Sequence, residues 1–576
     1  MQHQRIERVD DIPLLLHWLS TMKVQEVIDS IWQPHGNWDG LRYGQLAQLF
    51  IAYVIHTQTH TLCTMEEWAA KHRTVIQQCT GWDVALKDTT DDRLGRMVEV
   101  LGLSDTDNLR FQQEMGKHLI HAYHLPTDVA RFDTTSFNVY HAPGPNASEG
   151  LLRFGHSKNH RPDLLQFKQG LATLDPAGVP LYSTTLPGNT ADDPLYFPAW
   201  IELKKTIGHG DFLYVADSKA SALKTRAAID KEGGSYLFPL PKTGDVPQHL
   251  CQFVLNPPTK PQPIFHASSA QQQPSMIGQG FVVHKQMSAD IDGSSLHTWS
   301  EQWFVVQSCS YAESQTEAWT KRIENAEQEL QRIKPKKGEN AQELLQRAEK
   351  ILKGRNCESL FSLEVWETVT HQEKFQGRGR PKADSPRILV ELRHPTLSFQ
   401  RSTAAIAQVL LLAGWRIYVS NVPAHKMSLE QSVHYYRDEW QVERGFHRFK
   451  EGSLPALPVY LHLHDRIKGL MLLLTVALQA ITLIEYVARR QLAAQQEHIA
   501  GLVPGNPKMK TQRPTAERLL SQFGQVHLLI KESDDSVSGY IVETLNPLQI
   551  RILDLLGIPI TIYAFTFRQE KFKDSS

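Results

Sequence analysis

Three carboxylates stand where a sheet or a helix would present them for chemistry. Asp133 lies in RFDTTSF, a run that alternates like a β-strand, and Asp217 ends the apolar run FLYVAD. Glu443 lies in YYRDEWQVERGFHRFK, which reads as helix. Open α/β sheets present ligands at the carboxyl ends of their strands, the place Asp217 takes. On the third segment Tyr436, Trp440, Glu443, His447 and Lys450 recur at steps of 4, 3, 4 and 3, one stripe of a continuous helix. Tyr436 and Lys450 then each stand about 10 Å along the axis from Glu443. A carboxylate only accepts hydrogen bonds, so between a hydroxyl and an ammonium it suits a metal-bound phosphodiester. The Glu would hold the ion, and the Tyr and Lys the neighbouring phosphates. Arg437, Gln441, Arg444 and Arg448 fall on the adjacent stripe and would add positive charge. Each feature also has a plainer reading: a strand-end Asp more often makes a turn, and a Glu among Arg and Lys more often belongs to a solvated salt-bridge face.

The elements that must position these residues follow from periodicity. Residues 1–125 read as a helical domain, with apolar residues at helical spacing over Pro13–Leu19, Val24–Trp32, Tyr43–His56 and Asp91–Leu101. From Thr127 the pattern turns to strands: VARFDTTSFNVY, QFKQGLATLD and VPLYSTTLPG, the last two joined by a tight turn at Asp175-Pro176-Ala177-Gly178. A helix over PLYFPAWIELKKTI, the strand FLYVAD and a helix over Ala220–Lys231 complete a mixed α/β pattern. Residues 236–385 read as an insertion. It has β segments and an irregular Pro257–Pro263 loop. A helical hairpin follows over 314–353, where Trp319, Ile323, Ala326, Leu330 and Ile333 make a heptad seam. The α/β pattern resumes over 386–490 with STAAIAQVLLLAG, WRIYVSN and a helix from Ser428 onward, and 491–576 reads as a helical C-terminal region suited to dimerisation.

Composition narrows the classes. Of 576 residues 41% are hydrophobic and 21% charged, the balance of a folded chain rather than a disordered one. Five Cys without a CxxC pair argue against a disulfide framework or a Cys-based zinc site and fit a reducing cytoplasm. The start lacks the basic head and small-residue cleavage site of a signal peptide. The apolar stretch Gly469–Ile484 is 16 residues long and carries Thr475, Gln479 and Thr482. A membrane span needs about 20 apolar residues, so a buried core helix is expected and no membrane partner. With 61 Lys and Arg against 62 Asp and Glu, the net charge of −1 announces no polyanion partner, and any such surface must be a local patch.

The order Asp133, Asp217, Glu443 resembles the DDE transposases of bacterial insertion sequences. Within them it is similar to the branch related to insertion sequences 4 and 1634, whose last motif is Tyr-x2-Arg-x3-Glu-x6-Lys. Tyr436, Glu443 and Lys450 sit at that spacing; the Arg position holds Glu439, and Arg437 two residues earlier is the candidate substitute. DDRLGR (91–96), HSKNHRPDLLQF (156–167), LPGNTADD (186–193), VADSKA (215–220) and YLHLHDRIKGLMLLL also resemble this branch, so the likeness spans nearly the whole chain. It implies a ribonuclease-H-like α/β core formed by 126–235 and 386–490. The insertion falls within the 226 positions from Asp217 to Glu443.

The resemblance also implies a reaction. Two Mg²⁺ ions, with Mn²⁺ able to substitute, would be bridged by Asp133 and completed by Asp217 and Glu443. They would drive hydrolysis at the ends of an insertion element and attack of the freed 3′-hydroxyl on target DNA. The partners would be double-stranded DNA, both terminal inverted repeats and target. The protein would be a homodimer on paired ends, cytoplasmic and nucleoid-associated when acting, and residues 1–125 are candidates for end binding. Secondary DNA contacts are Lys158 and Arg161 with His160 on the approach to the second strand, Arg378 and Arg380 in an AT-hook-like string, and Trp415 as a stacking platform for a flipped base. A solvated loop, a linker and a buried core aromatic are their respective plain readings. Competing functions are a nuclease of the same fold without strand transfer, a DNA-binding relative with a decayed site, and a glycoside hydrolase using two of the carboxylates.

Overall fold

The computed structural model describes residues 3–143, 150–156, 161–266, 275–291, 293, 296–376, 386–533 and 536–565. Its centre is a nine-stranded mixed sheet. Val129–Val139 pairs antiparallel with Leu165–Leu174, which pairs antiparallel with Val179–Pro187. On its other side Val129–Val139 pairs parallel with Leu213–Ala216, and that strand pairs parallel with Ser235–Pro239. These five strands form the ribonuclease-H-like part, with the strand of Asp133 in the middle. Trp415–Ser420 then pairs antiparallel with Ser235–Pro239 and with Leu296–Ser308, and Met276–Asp290 and Gln262–Phe265 complete the sheet. The three strands of the expected insertion, Gln262–Phe265, Met276–Asp290 and Leu296–Ser308, therefore extend the same sheet instead of making one of their own. Leu165–Leu174 is buried at every position, as a strand covered on both faces must be.

The apolar stretch that could be mistaken for a membrane span lies in the helix His464–Ala494, and its most apolar window is 94% buried by protein. The donors of its polar interruptions find acceptors inside the fold. The Thr475 and Thr482 hydroxyls donate to the carbonyls of Met471 (2.8 Å) and Leu478 (2.7 Å), and Gln479 donates to Pro180 O at 2.8 Å. This helix packs against the Val179–Pro187 strand and the helices Tyr43–Thr57, Asp91–Leu103 and Pro547–Leu556, so it links the helical N-terminal region to the sheet. Its crossing with Asp91–Leu103 is backbone on backbone: a Cβ on Gly469 would fall 1.9 Å from Val98 O.

The expected hairpin forms from Cys309–Arg332 and Ala341–Gly354, with Ile323, Ala326 and Leu330 facing Ala348 and Leu352. It leans on an antiparallel ribbon, Phe361–Phe375 with Arg387–Arg401, within and just beyond the segment expected to be the insertion. The chain's outer segments meet: the strand His3–Arg8 pairs antiparallel with His527–Ser533, which pairs with Ser536–Val542, so the C-terminal region is mixed rather than all helical.

The helix expected to run from Ser428 through Lys450 is two helices, Leu429–Arg437 and Trp440–Lys450. Around Asp438 and Glu439 the ladder shortens to three-residue bonds, Glu439 N to Tyr436 O and Gln441 N to Asp438 O. Neither Pro nor Gly marks the break. It coincides with the Tyr436 ring docking on Tyr418, ring centroids 4.7 Å apart.

Candidate active site

The two aspartates meet through strand register. Val129 to Phe132 pair with Leu213 to Ala216, and the next step sets Asp133 beside Asp217 on a parallel neighbour. Adjacent strands are about 4.8 Å apart, so both carboxylates leave the sheet at one level. Asp133 Oδ1 accepts the Thr134 N–H at 2.7 Å. Asp217 caps the turn Ser218–Ser221, its Oδ1 accepting the Lys219 N–H at 3.0 Å and the Tyr196 hydroxyl. Its Oδ2 has no hydrogen bond among the described residues. Burial, followed by the charge of Asp217, holds the Tyr196 phenol far above its ordinary range, so it is a fixed donor to the carboxylate.

Glu443 is brought to this level by the seating of its helix. Val442, Phe446 and Phe449 form the buried stripe. Leu171 is Asp133's register partner on the neighbouring antiparallel strand, so the two share a sheet face. Gly445 lies directly on it: an added Cβ would stand 3.0 Å from Leu171 Cδ2 and 3.2 Å from Leu478 Cδ2. Lys450 Nζ donates to Thr135 Oγ1 at 2.7 Å and stands 5.5 Å from the Phe137 ring centroid, and both partners share Asp133's strand face. Glu443 itself is exposed, without a hydrogen bond or ion pair to its carboxylate among the described residues. It lines a cleft of about 330 Å³ with Arg416, Tyr436, Arg437 and Glu439.

Glu439 ties the two halves together. Its carboxyl is raised by burial and, against a hydrogen bond from Tyr436, by the charges of Glu443 and Asp217. Arg131, whose charge acts the other way, is committed to Asp175 through bonds of 2.9, 2.8 and 2.6 Å. Asp133, Asp217, Glu439 and Glu443 thus offer oxygen ligands only, the donor set that hard divalent cations take. The three expected ligands do not close into one cage. Among the described residues, the one group of three His, Cys, Asp or Glu whose ligand atoms all lie within 4.8 Å is Asp10, His56 and His72, elsewhere in the fold.

The sequence profile of the transposase DDE domain matches residues 126–479, more than half of the chain and all four of the carboxylates Asp133, Asp217, Glu439 and Glu443. This chain belongs to the DDE transposase family. No curated protein matches it. Among solved structures, it is similar to the piggyBac transposase in its synaptic complex with hairpin DNA. The TM-score is 0.32 at 10% identity, covering 91% of this chain and 82% of that one.

In this transposase several residues expected to contact DNA do other work. Arg448 is buried and pairs with Glu485 (2.5 Å) and Glu517 (3.0 Å), and Arg444 pairs with Glu485 at 2.5 Å. Periodicity places these arginines on one face; it does not tell that the long core helix brings a buried Glu485 to that face. Trp415 is 4% exposed and packs on Phe281, so it offers no surface for a flipped base. Tyr436 is half-buried against Tyr418, with its hydroxyl turned to Glu439. Arg161 is exposed and paired with Asp163 at 2.7 Å. Arg437 is exposed at the rim of the Glu443 cleft. Lys158, His160, Arg378 and Arg380 lie outside the described residues. Sequence reasoning missed Tyr196, Thr135 and the acidic role of Glu439. For Glu439 the signal was present, as a carboxyl standing where the motif has an Arg.

Proposed function

We propose that this transposase hydrolyses phosphodiesters at the ends of an insertion element and joins the freed 3′-hydroxyls to target DNA, two copies acting on paired ends. The observation that carries this reading is that Asp133 and Asp217 each follow the Phe132–Ala216 pair on adjacent parallel strands, beneath a helix whose Lys450 and Gly445 rest on the same sheet face. Asp133 and Asp217 would hold divalent metal from the sheet and Glu443 from the helix, with Mg²⁺ as the ion an all-oxygen set prefers and Mn²⁺ as its substitute. When bound, such ions activate a water or hydroxyl and stabilise the leaving oxygen in an in-line displacement.

The chain's own residues supply the positioning. Tyr196 locks Asp217 Oδ1, and Oδ2 would be the oxygen offered to metal. Lys450 is spent on holding the helix to the Asp133 strand, so end contacts fall to the exposed Arg437. Residues 1–125 are the proposed end-binding unit. The test uses the DNA flanking the gene as substrate with Mg²⁺. Asp133→Asn, Asp217→Asn and Glu443→Gln each lose cleavage while keeping thermal stability and DNA binding. Cleavage at the wild-type rate by any of them removes that residue from the site, and cleavage without strand-transfer products makes the protein a nuclease.

A further inference from the structure

The helical N-terminal region holds the second ligand group. Asp10 stands in the turn between the strand His3–Arg8 and the helix Ile12–Thr21, and His56 in the last turn of Tyr43–Thr57. His72 lies at the junction of Met65–Lys71 and Arg73–Thr80. One ligand atom from each lies within 4.8 Å of the other two.

Both imidazoles are held by the nitrogen that faces away from this point. His72 Nδ1 is 2.7 Å from the Trp68 carbonyl. A carbonyl only accepts, so the proton is on Nδ1 and Nε2 carries the lone pair. His56 Nδ1 is 2.6 Å from Asp11 Oδ1, which likewise places the N–H there and leaves Nε2, 3.9 Å from Asp10 Oδ2. A far nitrogen bonded to a carboxylate or carbonyl is the outer support that metal-binding histidines use. Asp10 is 1% exposed, and its Oδ1 has no hydrogen-bond donor among the described residues. The Arg8 guanidinium stands 2.8 Å from Oδ2 as an ion pair, but without hydrogen-bond alignment. The Trp68 ring flanks both imidazoles, with centroids 6.1 Å from His56 and 5.2 Å from His72.

We propose that Asp10, His56 and His72 bind one divalent transition-metal ion, Zn²⁺ by donor set, through a carboxylate oxygen and two Nε2 atoms. In tetrahedral zinc the ligand atoms stand about 3.3 Å apart, so closure from this arrangement needs side-chain shifts of the order of 1 Å. The ion joins the first turn of the chain to the ends of two helices. Its remaining position opens to a cleft of about 630 Å³ lined by Tyr53, Thr64 and Glu67, where water completes the shell. The mixed nitrogen and oxygen set separates this site from the all-oxygen rim around Asp217, so the two regions sort metals by chemistry. The competing arrangement is a His56 imidazolium paired with Asp10 and Asp11, which needs no metal.

The experiment equilibrates the full chain with Zn²⁺, exchanges it into zinc-free buffer containing Mg²⁺ to occupy the catalytic carboxylates, and measures metal by mass spectrometry. One zinc per chain is expected, unchanged in Asp217→Asn and reduced tenfold or more in His56→Ala and His72→Ala. Zinc below about a tenth of an equivalent in the wild type, or full occupancy in His72→Ala, overturns the proposal. Should the His variants fail to fold, the wild type decides. Crystals measured at the zinc edge must show anomalous density between the two Nε2 atoms, and an ion found only elsewhere overturns the assignment.

Discussion

Replacing Arg448 by Met tests whether this guanidinium is an internal cation or a phosphate contact. Its Nε and Nη2 donate to Glu517 at 3.0 and 3.2 Å, and Nη2 donates to Glu485 at 2.5 Å. Without it, Glu485 keeps Arg444 at 2.5 Å and Arg489 at 3.1 Å, whereas Glu517 keeps only its Ser453 hydroxyl bond at 2.8 Å among these contacts. The cost therefore falls on Glu517. Burial pushes that carboxyl up, but the Arg448 charge and hydrogen bonds overcome it and hold the group at about 2, down from an ordinary 4.5. A shift of that size corresponds to roughly 3 kcal/mol, and with the side chain 32% exposed, solvent screening trims it to about 2–3 kcal/mol. Because the folded value lies below the unfolded one, this stabilisation is fully present above about pH 4.5 and is lost as pH falls towards 2. Urea unfolding followed by Trp fluorescence should show Arg448→Met less stable than wild type by about 2–3 kcal/mol at pH 7, with the gap narrowing at pH 3. Equal stability at pH 7, or a gap that does not change with pH, refutes the reasoning. A folded variant whose DNA-binding salt slope drops by about one would return Arg448 to the phosphate surface.

Two further substitutions probe the site. Tyr196→Phe removes the hydroxyl that fixes Asp217 but leaves the Lys219 N–H; the Mg²⁺ requirement for cleavage should rise about tenfold with little change in melting temperature, and an unchanged Mg²⁺ titration would discount the hydroxyl. Gly445→Val drives a branched side chain into Leu171 and Leu478 and should cost about 1–3 kcal/mol while lowering cleavage. Wild-type cleavage would show that Glu443 does not depend on this close seating.

Much of the fold is written in local pattern. Alternation around Asp133, the short apolar run before Asp217 and the heptad seam from Trp319 to Ile333 each depend on neighbours within a few residues, and each forms the expected element. The break at Asp438 and Glu439 was not legible, because it accompanies Tyr436 docking on a strand 18 positions upstream and carries no breaker residue. The inward turn of Arg444 and Arg448 depends on Glu485, and a helical stripe shows which residues share a face without showing what covers it. The Phe361–Phe375 strand had a readable signal in its Val, Trp and Thr alternation, but its mostly exposed faces leave no apolar stripe to anchor the reading. Asp10, His56 and His72 share no regular spacing, so only the packed helices reveal them as a group.

The pairing of His3–Arg8 with His527–Ser533 has a bearing on biosynthesis. The strand His3–Arg8 finds its hydrogen-bonding edge only after some 520 further residues have left the ribosome. At roughly 5–20 residues per second that delay is of the order of half a minute to two minutes. Over that interval an unpaired edge is available to any neighbouring nascent chain, so slow translation or early termination should favour strand exchange between copies over closure within one.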